Sequence, residues 1–582
     1  MRRPCLSTEA IEICRLSLWI KTAEVGKELT SLDDNIRIGN SVIADRSVHP
    51  LAADWKAAFP AAFEAGGFDV VIGNPPYVRQ EWIASYKEYW KKAYKSYDSI
   101  ADLYVYFFEL GLRILRVGGR MGYITSGSWV RGNFGEGLRG LLANNARLEA
   151  MIDFGEFQPF EDAEMIRPTI TILSKAQSGH PMRLYKWLTT GRPPENLSDV
   201  IRTAPTMRTD HLGKETWELD PDDVITLRRK LSDRGKKLGD FVGGKIYRGV
   251  VTGLNDVFVI SKNECDRLLA ADAKNADLIK PFVQGTNLRP WYIKESGEYL
   301  IFTRRGVRLD AYPAIREYLE QFRKQLEPRP DDWPASKKWE GRKPGSYQWF
   351  EIQDTVEFWQ AFEKPKIIWP DISKLPRFSH DTEKRFLGNT AFCIPTEDFF
   401  LLAILNSWAT WFFISKTAQP LRLRGNRWQY RLFTQFTENI PIPHAPESDQ
   451  TALSRLAEQC NTLGRQRYQV ESHVQNRLTQ TFGFDEKGQS LGKLNEKAQE
   501  WWEQSLQGLG AGLKQSFKLP RNPFANPKSA DEWEAYFNEK KAEVDSLRRM
   551  LAETEAEIND RVYNLFALTP GEIKLLQREV EH

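Results

Sequence analysis

The chain has 582 residues, with 81 Lys plus Arg, 78 Asp plus Glu, and a formal net charge of +3 at pH 7. This balance excludes a polybasic tail protein and an acidic disordered one. The 41% hydrophobic and 27% charged residues are typical of globular protein, and the length suits about three domains of roughly 100–200 residues. No run of about 18 apolar residues predicts a membrane span, and no apolar stretch follows the two N-terminal arginines. We therefore expect a cytoplasmic protein without a membrane partner.

The cysteines are too scattered for either a disulfide framework or a structural zinc site. They contain no Cys-x-x-Cys pair, so the sequence predicts reduced thiols and no metal. The five residues are Cys5, Cys14, Cys265, Cys393 and Cys460. The 19 Trp and 32 Phe can fill thick cores or stack on nucleic-acid bases, and composition leaves both uses open.

Helices alternate with apolar strands over the first third of the chain. Helical spacing over Thr8–Val25 comes first, followed by the predicted short strand Asn35–Gly39 and the apolar strand Phe68–Ile72. This alternation predicts a parallel α/β sheet with ligands at the carboxyl ends of its strands. The later elements predicted are helix Leu103–Leu115 and strands Met121–Thr125, Ala150–Phe154 and Thr169–Leu173.

Later in the chain the pattern changes twice. A Pro- and Gly-containing segment at Gly191–Pro194 begins a polar region that reads as a linker, and short strands with many aromatics follow, apart from helix Phe399–Lys416. The end of the chain is charge-rich, and near-heptad spacing over Ala542–Tyr563 predicts a helical hairpin or short coiled coil. The predicted domains are 1–185 (α/β), 186–235 (linker), 236–445 (α+β) and 446–582 (helical).

The tetrapeptide Asn74-Pro75-Pro76-Tyr77, directly after an apolar strand, is the most informative motif. An exocyclic amine on a purine is a poor nucleophile, and it must be oriented before it can attack a methyl sulfonium. The Asn74 side-chain carbonyl and the Pro75 backbone carbonyl can accept both amine hydrogens, and Tyr77 can stack on a base that has left the duplex. A proline-rigidified turn without chemistry is the alternative.

These segments resemble an N6-adenine DNA methyltransferase of the gamma motif order, as found in type IIG restriction-modification enzymes with a TaqI-like specificity domain. The resemblance implies S-adenosylmethionine as cofactor, Asn40 and Asp102 as cofactor ligands, and Phe160 as a second aromatic against the flipped base. Each has a structural alternative: Asn40 as a turn residue, Asp102 as a helix N-cap and Phe160 as a core aromatic. The fold implied is an incomplete Rossmann-like methyltransferase sheet, an α+β target-recognition domain and a helical C-terminal region.

The second domain also resembles that family, through Ile246–Asn255, Lys364–Asp371, Ala403–Ser407 and Ile440–Pro443. A Gly-containing loop within it alternates cations with aromatics, which suits contacts to DNA phosphates and base edges, although a solvated basic loop is the alternative. The candidates for binding double-stranded DNA are Arg422, Arg424, Arg427, Trp428, Tyr430 and Arg431, with Arg304, Arg305 and Arg377 as weaker ones.

Two of the family's segments have no match in this sequence. The glycine-rich loop that grips the cofactor's methionine part is missing, as is the acidic residue for its ribose hydroxyls. We therefore expect a truncated or split gene product that binds the cofactor weakly by itself, with a companion polypeptide supplying the missing strands. The near phosphate-loop Gly239–Ile246 lacks the required Ser or Thr, and no nuclease motif precedes Asn74.

The sequence thus predicts a site-specific adenine DNA methyltransferase of a restriction-modification system, or the larger part of one. One alternative is a catalytically inactive DNA-binding specificity fragment, which the missing cofactor loop favours. Another is a protein glutamine methyltransferase, since those enzymes also use Asn-Pro-Pro-Tyr, but they have no need of a basic, aromatic second domain.

Overall fold

The computed structural model of the chain describes residues 8–24, 28, 31–155, 157, 160, 167–177, 179–187, 196–334, 337–418, 420–425 and 427–581. The chain forms two compact units, Met1–Thr226 and Leu227–His582. Cys5 and the segment Gly191–Pro194, both singled out in the sequence, lie outside the described residues. The three boundaries between the four segments predicted from the sequence stay a prediction.

The first unit is a six-stranded sheet with helices. Its strands are β1 (Phe68–Gly73), β2 (Leu115–Ser126), β3 (Arg147–Asp153), β4 (Pro168–Ser174), β5 (Met182–Lys186) and β6 (Thr206–Met207). Its helices are α1 (Thr8–Thr22), α2 (Trp55–Ala58), α3 (Pro60–Glu64), α4 (Lys87–Ala93), α5 (Tyr104–Ile114), α6 (Glu136–Asn145) and α7 (Leu197–Thr203), with 3-10 turns at Gln80–Tyr86, Gly127–Val130 and Asn133–Gly135. An α/β fold is therefore confirmed for this unit.

The sheet is mixed. The parallel sheet that the sequence predicted is therefore wrong in the direction of some strands. Its order is β1-β2-β4-β3-β5-β6, in which β1 runs parallel to β2 and β3 parallel to β5. Strand β4 lies antiparallel to both β2 and β3. Strand β4 is the next described strand after β3 and pairs with it, and antiparallel pairing is common between neighbouring strands that are joined by a short segment.

One predicted strand, Asn35–Gly39, does not form. Residues 33–35 make a turn, and Asn40 contributes only an isolated bridge to Ala52. A strand needs a neighbour that satisfies its backbone N–H and C=O groups, and no described strand lies beyond β1 to provide one. Apolar composition alone therefore overestimated the sheet.

Helix α5 covers one face of the sheet. Phe108 lies edge-on to Tyr123 of β2, with ring centroids 5.4 Å apart. Gly111 allows this close approach, because a Cβ at that position would lie 2.4 Å from the Met121 sulfur. The helix is predominantly apolar, so it buries nearly all of its residues here, and it fixes β2 beside β1.

The opposite face is uncovered at its β1 end. Ile72 pairs with Gly122 of β2, and Gly122 pairs with Ile172 of β4, so these residues share that face. Val70 and Ile72 are 62% and 84% exposed, whereas Ile152 of β3, also on this face, is 3% exposed. Parallel strands are normally buried on both faces, and β1 is also an edge strand.

The second unit contains short sheets followed by long helices. Its strands are β7 (Gly235–Lys237), β8 (Tyr247–Arg248), β9 (Val259–Ser261), β10 (Ile279–Val283), β11 (Glu298–Ile301), β12 (Lys366–Pro370), β13 (Ile372–Ser373), β14 (Ser379–Asp381), β15 (Phe386–Leu387), β16 (Ala391–Ile394), β17 (Pro420–Arg424), β18 (Arg427–Arg431) and β19 (Pro441–Pro443). Four sheets result, in the orders β15-β10-β11-β9, β14-β12-β16-β8, β13-β18-β17 and β19-β7.

The helices of this region include two long ones at the C-terminal end. They are α8 (Asp222–Asp233, which begins in the first unit), α9 (Leu238–Phe241), α10 (Asn255–Phe258), α11 (Lys262–Ala271), α12 (Pro313–Glu320), α13 (Arg323–Leu326), α14 (Phe399–Asn406), α15 (Trp408–Thr417), α16 (Thr434–Thr437), α17 (Glu447–Phe482), α18 (Glu496–Gln499), α19 (Leu506–Phe517), α20 (Pro527–Leu565) and α21 (Pro570–Glu581). The long helices α17 and α20 pack against each other, which confirms a helical C-terminal region.

The predicted helix Phe399–Lys416 is two helices. Ser407 ends α14 and caps α15 by accepting a hydrogen bond from the Thr410 backbone N–H, and the two helix axes meet at 60°. Within the described part of the chain, no single helix has both the length and the apolar composition to cross a membrane, although this bent pair meets the test when its two helices are taken together.

Candidate active site

The motif Asn74–Tyr77 lies at the carboxyl end of β1, beside the end of β2. Parallel pairing places Gly73 next to Tyr123, so the motif begins level with Ile124. The Asn74 residue is exposed, Pro75 is buried, and Pro76 and Tyr77 are half-buried. The carboxyl ends of parallel strands are where α/β sheets bind ligands, so the exposed Asn74 side chain stands where that chemistry requires it.

Tyr77 is tied to β2 by its hydroxyl group. That hydroxyl donates to the Ile124 carbonyl over 3.2 Å, and the Tyr77 ring lies 6.4 Å from the Tyr104 ring at 53°. Burial raises the pKa of Tyr77 to about 12, so the phenol stays protonated and keeps this hydrogen bond at neutral pH. The ring therefore has a fixed orientation at the mouth of the site.

Asp102 is not the N-cap of α5. Leu103 occupies that position, without a side-chain cap. The Asp102 carboxylate instead accepts the Gln80 backbone N–H over 3.2 Å, which ties the segment after Tyr77 to the start of α5. Burial raises the pKa of Asp102 above its usual range. The cofactor contact implied by the family resemblance stays a prediction.

Asn40 lies in a turn, half-buried. Its side-chain oxygen accepts the Val42 backbone N–H over 3.3 Å, and its own backbone N–H donates to the Leu51 carbonyl over 2.6 Å. These bonds suit a turn residue. The side chains of Asn40 and Asp102 are both bonded to backbone, and these two groups alone do not fit the whole of S-adenosylmethionine.

Phe160 is described as a half-buried residue, while Gln158 and Pro159 of the predicted loop lie outside the described residues. On the strand side of this loop, Phe154 is buried and lies 6.2 Å from the Phe157 ring. Among the described residues, no ring contact joins Phe160 to Tyr77, so the stacking role of Phe160 stays a prediction.

The structure adds a hydroxyl cluster at the end of β2 that sequence reasoning missed. Tyr104 and Ser128 share a hydrogen bond of 3.1 Å, and Ser126 and Ser128 share one of 2.7 Å. Tyr104 also faces Tyr77, so the cluster is adjacent to the motif. The sequence signal that could have found this cluster is the pair Ser126 and Ser128 at the end of the predicted strand Met121–Thr125. Within the described part of the chain, no group of three His, Cys, Asp or Glu could hold a metal ion.

The predicted DNA-binding segment forms the antiparallel strands β17 and β18, called here the basic pair. Arg424 pairs with Arg427 across it, and the Arg422 guanidinium donates to Gln429 over 2.9 Å. Trp428 is only 8% exposed, so its ring is a core group rather than an open stacking surface. The Arg431 guanidinium lies 5.2 Å from the Phe433 ring.

The three weaker arginine candidates differ in their surroundings. Arg305 donates to the Ile352 and Gln353 carbonyls and so has a structural role. The Arg304 guanidinium lies 4.9 Å from the Trp359 ring. Arg377 is half-buried and forms no ion pair within the described ranges. Of the three, only Arg377 keeps a guanidinium without an obvious partner.

Family models match both halves of this architecture. Residues 4–160 match the Eco57I restriction-modification methylase, and residues 280–442 match the TaqI-like C-terminal specificity domain. The matches support a DNA methyltransferase of a restriction-modification system. A third match covers residues 446–562 of the methyltransferase and is a domain of unknown function.

Several curated relatives are similar to the methyltransferase over most of its length. The type II methyltransferase M.PaeR7I of Pseudomonas aeruginosa is 26% identical over 490 residues, which is 77% of this chain and 82% of the relative. M.BstVI of Geobacillus stearothermophilus is 26% identical over 68% of this chain and 71% of the relative. A solved structure of the type IIL enzyme MmeI with DNA aligns at 11% identity and a TM-score of 0.47, covering 92% of this chain and 59% of that one.

Proposed function

We propose that this methyltransferase transfers a methyl group from S-adenosylmethionine to N6 of an adenine flipped out of double-stranded DNA, at a specific sequence. The observation that carries the proposal is Asn74, exposed at the carboxyl end of β1 and followed by a buried Pro75. The Asn74 side-chain carbonyl and the Pro75 backbone carbonyl accept the two N6 hydrogens, which turns the nitrogen lone pair towards the methyl group. The cofactor supplies that methyl group as an electrophilic sulfonium.

The target base needs a wall once it has left the stack. Tyr77 supports this role because its hydroxyl is held by the Ile124 carbonyl and its pKa is raised, so the ring is fixed and neutral. Phe160 is proposed as the opposite wall. Asn40 and Asp102 are proposed as cofactor ligands, which requires that they exchange or extend their present bonds to backbone.

DNA recognition is proposed for the basic pair. Arg422 and Arg424 are exposed on β17, and Arg427 begins β18, so the pair presents cations along its length. Arginines of this kind contact phosphates and the acceptor edge of guanine. Tyr430 and Arg431 complete the proposed surface, and Trp428 supports it from the core.

We also propose that a companion polypeptide segment completes the first unit. No described strand pairs with the outer edge of β1, Val70 and Ile72 of this strand are exposed, and most residues of helix α1 are exposed as well. A strand added along β1, with a helix over Ile72, would bury this surface and bring in the missing cofactor loop. The same uncovered edge favours a second function, in which the chain alone is a DNA-binding specificity fragment without methyl transfer.

The test is transfer of a labelled methyl group to DNA lacking adenine methylation, with the chain alone and with a companion segment supplied. The expected product is N6-methyladenine, and Asn74→Ala should lower its formation by at least about a hundredfold through loss of positioning. DNA affinity should change little. Asn144→Ala, a surface asparagine on α6, is the matched control and should methylate normally.

Each alternative predicts a different result. Label that persists in Asn74→Ala, or that appears on another base or on protein glutamine, would refute the adenine proposal. DNA binding without methyl transfer, even with the companion segment present, would leave the specificity fragment as the function.

A further inference from the structure

The long C-terminal helices hold one loop of the specificity region, Leu288–Tyr292. The Trp291 indole N–H donates to the Glu555 carboxylate of α20 over 2.6 Å. Tyr292 stacks on Tyr468 of α17, with centroids 5.4 Å apart, and its hydroxyl accepts from Arg467 over 3.2 Å. The two long helices thus hold adjacent aromatic residues of this loop, α20 through Trp291 and α17 through Tyr292.

The loop has a backbone conformation that needs this support. Trp291 has φ +70°, in the left-handed region, which costs a non-glycine residue roughly 1–3 kcal/mol. Helix α17 approaches closely at Gly464, where a Cβ would lie 3.3 Å from the Tyr292 ring. A strained loop held by hydrogen bonds, stacking and close packing has one fixed shape, which suits a binding function.

Two arginines meet at this loop without a carboxylate. The Ser379 hydroxyl donates to the Arg289 carbonyl over 2.7 Å, and the Trp291 backbone N–H donates to the Phe378 carbonyl over 3.2 Å. These two bonds place Arg377, the neighbour of Phe378, next to the loop. Arg289 uses one guanidinium nitrogen on the carbonyls of Thr286 and Leu288. In the part of the chain that the structure describes, neither arginine forms an ion pair.

Electrostatics supports the same picture. Burial lowers the pKa of the Arg377 guanidinium, and the neighbouring Arg289 charge lowers it further. No carboxylate is among the groups that act on Arg377. The Glu471 carboxylate does interact with the Arg289 charge, but it forms its ion pair with Arg467 over 3.1 Å. Neither arginine thus has a carboxylate within ion-pair distance among the described residues, and the two cations leave a place for an anionic ligand.

The arginines are continuous with the basic pair. Strand β13 (Ile372–Ser373) pairs with β18, and the chain then runs through Lys374 to Arg377. The Lys374 ammonium lies 3.8 Å from the position of a Cβ at Gly425, at the tip of the basic pair. Lys374 thus lies at the tip of the basic pair, and Arg377 follows it three residues later in the chain. Such a series of cations favours a polyanion over a small free anion.

We propose that Arg289 and Arg377 bind one backbone phosphate of DNA, and that α17 and α20 position them through Trp291 and Tyr292. The site deepens the proposed function, since it names a phosphate contact outside the basic pair and gives the region of unknown function a role. Phosphate contacts fix the register of a protein on DNA without reading sequence. Glu555 and Tyr468 are positioning residues here.

The experiment measures the affinity of the full chain for a labelled random duplex at several salt concentrations. Arg377→Ala should reduce the slope of log K against log salt by about 0.9, the value for one phosphate. Affinity should fall about tenfold, and equally for all sequences. Arg377→Lys keeps the charge and should keep most of the slope. Arg316→Ala removes the same charge where Asp310 and Glu320 already neutralise it, and should leave the slope unchanged.

The positioning role has its own variants. Glu555→Leu removes the acceptor for the Trp291 indole N–H and should reduce the salt slope as much as Arg377→Ala does. The variant that carries both substitutions should show no further reduction. Glu555→Gln keeps an acceptor and should restore binding. An unchanged slope in Arg377→Ala, or a loss confined to one DNA sequence, would overturn the phosphate contact.

A free anion is the competing occupant, and calorimetry with inorganic phosphate distinguishes it. Phosphate binding that disappears in Arg377→Ala, while the DNA slope is unchanged, would assign the site to a small anion and overturn the proposal. Because random-duplex binding does not require methyl transfer, these outcomes are independent of the test of Asn74.

Discussion

Because the face beside β1 is uncovered, Ile→Ala should change the free energy of unfolding little at Ile72 and strongly at Ile152. Ile72 is 84% exposed, so only about a sixth of its side chain is buried, and Ile72→Ala should lower the free energy of unfolding by less than about 0.5 kcal/mol. Ile152 lies on the same face at 3% exposure, and Ile152→Ala should cost roughly 2–5 kcal/mol.

Native-state hydrogen exchange of the β2 and β3 amides measures this difference within the first unit, separately from the rest of the chain. Ile72→Ala should leave the protection of these amides unchanged, and Ile152→Ala should reduce it strongly. Equal losses at the two positions would refute the reasoning, because they would mean that the chain itself covers Ile72.

The companion segment reverses the expectation for Ile72. Docking of a strand and helix would bury the exposed part of this side chain, which is worth up to about 2 kcal/mol. Ile72→Ala should therefore weaken binding of the segment by about tenfold or more, as measured by titration of the segment into each variant. A companion that binds both variants equally would contradict docking on this face.

Two further substitutions test the motif's supports. Tyr77→Phe loses the hydrogen bond to the Ile124 carbonyl but keeps the ring. The free energy of unfolding, measured with denaturant, should fall by about 0.5–1.5 kcal/mol, and methyl transfer should fall only a few-fold. Loss of all methyl transfer would instead give the hydroxyl a chemical role. Asp102→Asn keeps an acceptor for Gln80. Because burial raises the pKa of Asp102, the wild-type free energy of unfolding should fall as pH rises through that pKa, and the variant should lack this fall in a pH series of denaturant titrations.

The sequence predicted those elements whose signal is local. Strand β1, helix α5 and the motif at Asn74 follow from apolar runs and turn residues, and each lies where it was predicted. The strand predicted at Thr169–Leu173 forms as β4, but its antiparallel direction was not predicted, because strand direction depends on how the chain returns and periodicity does not encode that. The absent strand at Asn35–Gly39 shows that an apolar segment becomes a strand only beside a partner.

Side-chain surroundings were harder to predict than elements. The loop around Trp428 has an alternating basic and aromatic pattern, but the pattern cannot tell which rings turn inwards, and Trp428 does. Arg305 and Arg377 look equivalent in the sequence. In the structure, the Arg305 guanidinium donates to two backbone carbonyls, whereas Arg377 forms no ion pair among the described residues. Such differences arise from tertiary contacts between residues far apart in the chain.

Gly122 offers a practical handle on the first unit. A Cβ at this position meets nothing within 4 Å, and its neighbours on the sheet are Ile72 and Ile172. Of the described cysteines, Cys265, Cys393 and Cys460 are buried and Cys14 is exposed. In a background with Cys5→Ser and Cys14→Ser, Gly122→Cys would carry a single accessible thiol on the uncovered face. A dye attached there would report, by its change in emission, the moment at which another polypeptide closes over the sheet.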